Sequence, residues 1–143
     1  MSQFVWTFSG GKPVQEVTSV PLVNNTALTI DKTVPAGKIW LLKSIKIVNP
    51  DDVGRSVTVV IYKEVAKTNT LDLIISGITI TAAATRMLPS FIATSWASSS
   101  GLFKDKMMVA GNVLSITWAA GGASAGGTDA DGLIVEYLEI DAP

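Results

Sequence analysis

Asp129-Ala130-Asp131-Gly132 has the spacing best suited to holding a hard cation such as Ca²⁺. It offers two carboxylates where a calcium loop collects more oxygens, and the third acidic position of an EF-hand pattern is missing. Asp and Gly populate turns for their own reasons, so a solvated hairpin turn is the competing reading. The chain has no histidine and no cysteine. That removes the commonest metal ligand, the commonest general base and the best side-chain nucleophile. A serine nucleophile would need lysine as its base, and Lys43-Ser44 are strand neighbours that point to opposite faces. Glu136 and Glu139 also face opposite sides of their strand, so they do not form a carboxylate pair. Ser9-Gly10-Gly11-Lys12 lacks the frame of a phosphate loop and the hydroxyl after its lysine. Asp51-Asp52 with Arg55 reads as a charge-paired turn within Asn49-Pro50-Asp51-Asp52. The expectation is no enzyme, no cofactor and no resident metal, with Asp129 and Asp131 the candidates if a cation is held at all.

The aromatic residues offer a different chemistry. Trp6, Trp40, Trp96 and Trp118 could build a platform on which sugar rings stack. The competing reading is anchoring in a core or an interface, which tryptophan does through its large area. Trp118 shares a strand face with Leu114 and Ile116, so it belongs to a core. Trp96 lies in the Ser-rich stretch before Gly101 and is the tryptophan expected at the surface. Asn24-Asn25-Thr26 matches a glycosylation sequon, which is idle without secretion.

The elements that must position these residues are strands. The chain's 143 residues fit one domain. Hydrophobic residues make up 48% of it, charged residues only 16%, and the mean hydropathy is +0.40. The apolar runs, such as Ile39 to Leu42, fall far short of the ~20 residues a membrane helix needs. Met1-Ser2-Gln3-Phe4 opens no signal peptide. A membrane β-barrel would need aromatic girdles, and aromatics are 7%. A net charge of −1 carries no nucleic-acid footprint. The excess of apolar surface therefore points to burial between subunits or against a partner.

Short runs rich in Val, Ile and Thr predict strands at Phe4–Phe8, Val14–Val20, Ala27–Ile30, Ile39–Val48, Val57–Lys63, Leu71–Ile75, Ile78–Ala82, Val113–Trp118 and Leu133–Ile140. Arg86 to Met107 reads as one or two strands around a loop. Val57, Val59 and Ile61 alternate with Ser56, Thr58 and Tyr62, the pattern of a sheet with one face on a core. Ile39–Leu42 and Leu133–Ile140 are apolar on both faces. Asn49 to Arg55 reads as a hairpin loop, and Gly121 to Gly132 as a mobile or draped loop. Val34-Pro35-Ala36-Gly37-Lys38 and Met108-Val109-Ala110-Gly111-Asn112 echo each other as corners, each with a glycine at positive φ. The expected fold is all-β, an antiparallel two-sheet β-sandwich of jelly-roll type with an extended N-terminal arm. Residues 1–20 are an arm or edge strand and residues 21–143 a single β-sandwich domain.

Between Ile30 and Ile140 the pieces come in a telling order. A Pro35-Ala36-Gly37-Lys38 corner leads into Ile45-Lys46-Ile47-Val48-Asn49. Next come Arg55 to Tyr62, then Ala110-Gly111-Asn112-Val113-Leu114-Ser115-Ile116, and last Leu133 to Ile140. This order resembles the small jelly-roll cement or decoration proteins of tailed-bacteriophage capsids, and also some tail-associated β-sandwich proteins. The resemblance implies a virion structural protein, made in the host cytoplasm, that binds the capsid surface and bridges neighbouring subunits of the major capsid protein. It implies self-association, with a trimer favoured over a dimer, and no nucleic-acid or membrane partner. Phe4, Trp6 and Phe8 on the arm are the expected anchors, with Trp96, Ile134 and Leu138 as further interface residues. The alternative is a carbohydrate- or receptor-binding module of a phage tail.

Overall fold

The structure, a computed structural model, describes residues 11–88 and 106–143. Among the described residues there is no helix. The described residues form nine strands: β1 (Lys12–Leu22), β2 (Leu28–Thr33), β3 (Lys38–Val48), β4 (Arg55–Tyr62), β5 (Thr70–Ile80), β6 (Thr85–Leu88), β7 (Lys106–Val109), β8 (Val113–Trp118) and β9 (Gly127–Asp141). They make two antiparallel sheets. The larger runs β1-β9-β3, with β6 and β7 both on the far edge of β3, and the smaller runs β2-β8-β4-β5.

β6 pairs with Ile45–Val48 and β7 with Ile39–Leu42. The two short strands are one edge strand in two pieces. Counted so, the described residues make eight strands that cross repeatedly between the sheets, the double Greek key of a jelly roll. β4 and β5 are sequential neighbours within one sheet. Asn49 to Arg55, expected as a hairpin loop, instead crosses from β3 in the larger sheet to β4 in the smaller. Turn residues mark where a chain bends, and they do not say which sheet it enters next.

The inner faces of both sheets supply the core. Leu42, Ile45, Ile47, Leu133 and Val135 of the larger sheet meet Val57, Val59, Ile61, Leu114, Ile116 and Trp118 of the smaller. Burying each such side chain contributes about 1.5–3 kcal/mol gross. Trp118 lies fully inside, as its shared face with Leu114 and Ile116 predicts, and its Nε1 donates to the Val48 carbonyl across the sandwich at 3.1 Å. Trp40 stacks on Tyr137 with ring centroids 4.1 Å apart.

Two glycine readings held and two did not. Gly37 and Gly111 have φ of 76° and 86°, as the echoing corners require. The corners also bond to each other, through Val34 N to Asn112 O and Gly111 N to Val34 O, both 3.0 Å. Leu71–Ile75 and Ile78–Ala82, expected as two strands, are one strand bent at Gly77, where φ is 63° and the register to β4 shifts. The Gly121–Gly132 stretch is not a free loop. β9 begins at Gly127, whose α-carbon abuts Pro50: a Cβ there would lie 2.1 Å from the Pro50 carbonyl oxygen.

Candidate interaction surface

The polar residues with most to offer chemically lie together at one end of the sandwich, and they are fully committed to structure. Arg55 opens β4 and is 1% exposed. Its Nε donates to Asp51 Oδ2 at 2.7 Å, and Nη2 lies 2.6 Å from the same oxygen. Nη1 donates to the carbonyls of Thr26 (2.8 Å) and Ala119 (3.1 Å), and Nη2 to that of Val23 (2.8 Å). A guanidinium has five donors, and these five contacts use them all. Asp51 also accepts from Ser124 Oγ at 3.0 Å and from the Asp52 amide at 2.8 Å. Asn49 Nδ2 donates to the carbonyls of Val53 and Ile80, at 2.8 and 2.9 Å.

The four connections β1–β2, β3–β4, β5–β6 and β8–β9 are thereby joined at one point. Gly121 packs flat on the guanidinium, where a Cβ would stand 2.9 Å from Nε. Burial pushes the Asp51 carboxyl up, but the bonds from Arg55, Ser124 and Asp52 outweigh it and hold it below its ordinary 3.8, at about 2. The charge-paired turn expected here is present, but it is buried rather than solvated.

Asp129 and Asp131 stand where β9 bulges against β1, between the pairs Val20↔Asp129 and Thr18↔Leu133. Their place is a bulge inside a strand rather than a hairpin turn. Asp129 Oδ1 accepts from the Asp131 amide at 2.8 Å, a local turn contact. Among the described residues no three acidic side chains converge on a cation.

The outer face of the larger sheet is the unusual surface. Along β1, β9 and β3 the register lines up Pro13, Leu138 and Leu41, then Gln15, Glu136 and Ser44, then Val17, Ile134 and Lys46. The first row continues to Met107 on β7, beside a row of Ile39, Ile140 and Val109. The third continues to Met87 on β6. Two apolar patches result, separated by a polar belt in which Glu136 accepts from Gln15 Nε2 (3.0 Å) and Ser44 Oγ (3.1 Å). Val17 is 49% exposed, Met87 50%, Met107 56% and Val109 44%. Ile134 and Leu138 are half-buried in this face, one in each patch.

The double-sided apolar strands of the sequence thus resolve into an inner face on the core and an outer face towards solvent. Phe4, Trp6, Phe8 and Trp96 lie outside the described residues. Sequence reasoning missed Val17, Met87, Met107 and Val109. Register carries the missing information, because only pairing puts single apolar residues from four strands side by side. Among the described residues no tryptophan is exposed: Trp40 and Trp118 are both buried. No described helix is long and apolar enough to cross a membrane.

No protein-family profile and no curated protein matches the chain. Among solved structures it is similar to a Bacillus endospore appendage protein of a disulfide-linked pilus family. The identity there is 15% and the TM-score 0.44, over 93% of this chain and 91% of that one. It is also similar to infectious bursal disease virus protein of the Gx strain, with 14% identity and a TM-score of 0.35 over 92% of this chain and 41% of that one. A third likeness is to an exo-β-1,3-galactanase from Phanerochaete chrysosporium, with 14% identity and a TM-score of 0.32, covering 90% of this chain and 26% of that one. These overlaps carry no functional argument. The architecture and its apolar outer face are what a functional reading rests on.

Proposed function

We propose that this chain is a structural protein of a virion, binding the outside of a phage capsid as a homo-oligomer and tying neighbouring shell subunits together. The observation that carries the reading is the outer face of the larger sheet, where Val17, Met87, Met107 and Val109 stand exposed around Ile134 and Leu138. Paired apolar patches of this kind on a folded domain support a contact surface for another macromolecule. On a repeating shell each contact can be modest, because many linked contacts act together at high effective concentration. Trp96 belongs to the same proposal as an additional anchor.

Co-sedimentation tests it. Purified protein is mixed with capsids, stripped of accessory proteins, from the phage that encodes the chain. The expected result is a pellet that saturates at a fixed ratio of chain to shell subunit. A monomer that stays in the supernatant at every ratio would overturn the proposal.

A further inference from the structure

The outer apolar patch nearer the start of the chain has an adjacent source of cover. The β1–β9 ladder ends at Lys12↔Glu139. Beyond it, Gly11 is pressed onto the outward side chain of Leu138. A Cβ built there would lie 2.7 Å from Leu138 Cγ and 2.9 Å from each Cδ. A side chain at this position would displace Leu138. The chain therefore enters β1 against the near edge of the patch formed by Ile39, Leu41, Met107, Val109, Leu138 and Ile140.

Ten residues precede Gly11. Extended, they reach ~33 Å, whereas the three strand spacings from β1 to β7 add up to only ~15 Å. Phe4, Trp6 and Phe8 alternate with Gln3, Val5, Thr7 and Ser9. An extended chain places those three rings on one side and the remaining residues on the other. Methionine at the patch suits aromatic cover, since its thioether adapts to a ring. The Gln15–Glu136–Ser44 belt bounds the patch on its far side.

We propose that this patch is the docking surface for residues 4–8 of the same chain, leaving the second patch (Val17, Ile134, Met87) for a partner. The tether decides between copies: a segment joined directly to the patch competes at millimolar effective concentration against any segment from a second copy. This goes beyond the shell reading and stands or falls without any capsid present.

Methionine oxidation reads it, because sulfoxide formation follows exposure and the two patches each carry one methionine. Dilute peroxide is applied to the full-length chain and to a Phe4→Ser/Trp6→Ser/Phe8→Ser variant, and each methionine is followed by peptide mass spectrometry. Met107 is expected to oxidise about fivefold faster in the variant, while Met87 keeps its rate. Buried Met108 reports an unfolded variant, in which case the single Trp6→Ser change is read instead. Equal Met107 rates in variant and parent would overturn the proposal. So would protection of Met107 that disappears on dilution, which would mean that a second copy supplies the cover.

Discussion

Arg55 and Asp51 show how a charged pair can be kept away from water. Stripping ions of water is costly, and the cost is met here by five donor contacts from one partner and four contacts received by the other. The Asp51 carboxyl, held at about 2, makes stability depend on acid. Its folded value is depressed, so its contribution is complete above the ordinary carboxylate value and is lost as pH falls through about 2. The midpoint of thermal unfolding, followed by circular dichroism, should therefore fall between pH 4 and pH 2. Asp51→Asn should lower the midpoint at pH 7, where Arg55 loses its charge partner, and should flatten the acid decline. Parallel pH curves for the two proteins would refute this. The sequence disclosed the pair, since Asp51, Asp52 and Arg55 sit in one turn. It could not disclose the burial, because the covering groups at Val23, Thr26, Ala119 and Ser124 come from connections remote in the chain.

At the scale of elements, the glycines separate backbone cost from steric cost. Gly37 and Gly111 hold positive φ at corners where an added Cβ would meet nothing within 4 Å. Ala at either should cost about 1–2 kcal/mol, the ordinary penalty for a left-handed L-residue. Gly127 has another reason to be glycine: a Cβ there would run into the backbone of Pro50. Gly127→Ala should cost clearly more than Gly37→Ala in urea unfolding, and equal losses would contradict this account. The corner glycines were legible because Ala-Gly-polar before an apolar strand is a local signal. Gly127 was not. The Gly127 to Gly132 run has no apolar alternation, so the first turn of pairing in β9 looks like loop. Gly77 misled in the opposite way, marking a bend inside a strand as a break.

At the scale of the molecule, the sandwich places its surplus apolar residues on one side. The all-β class, most strand positions and the two-sheet arrangement were readable from alternation and turns. The order of strands in each sheet was not, since crossovers leave no local trace. Exposed Val17 and Met87 stand at the two ends of a row on this face, with Ile134 and Lys46 between them. Val17→Lys with Met87→Lys should change unfolding free energy by no more than about 1 kcal/mol, because both side chains already face solvent. The same variant should shift the molecular mass in size-exclusion chromatography with light scattering towards the monomer. An unchanged oligomer would move the self-association surface off this face.

The far edge of β3 is covered in two pieces, by β6 on Ile45–Val48 and β7 on Ile39–Leu42, and the chain between them runs through residues 89–105. A continuous strand would bridge that gap with two or three residues. Each half has its own ladder, so the register on one side does not depend on the length of chain leading to the other. The sixth strand of the jelly roll is thus built as two separate ladders. The two ladders close the same sheet edge independently, one at each end of β3.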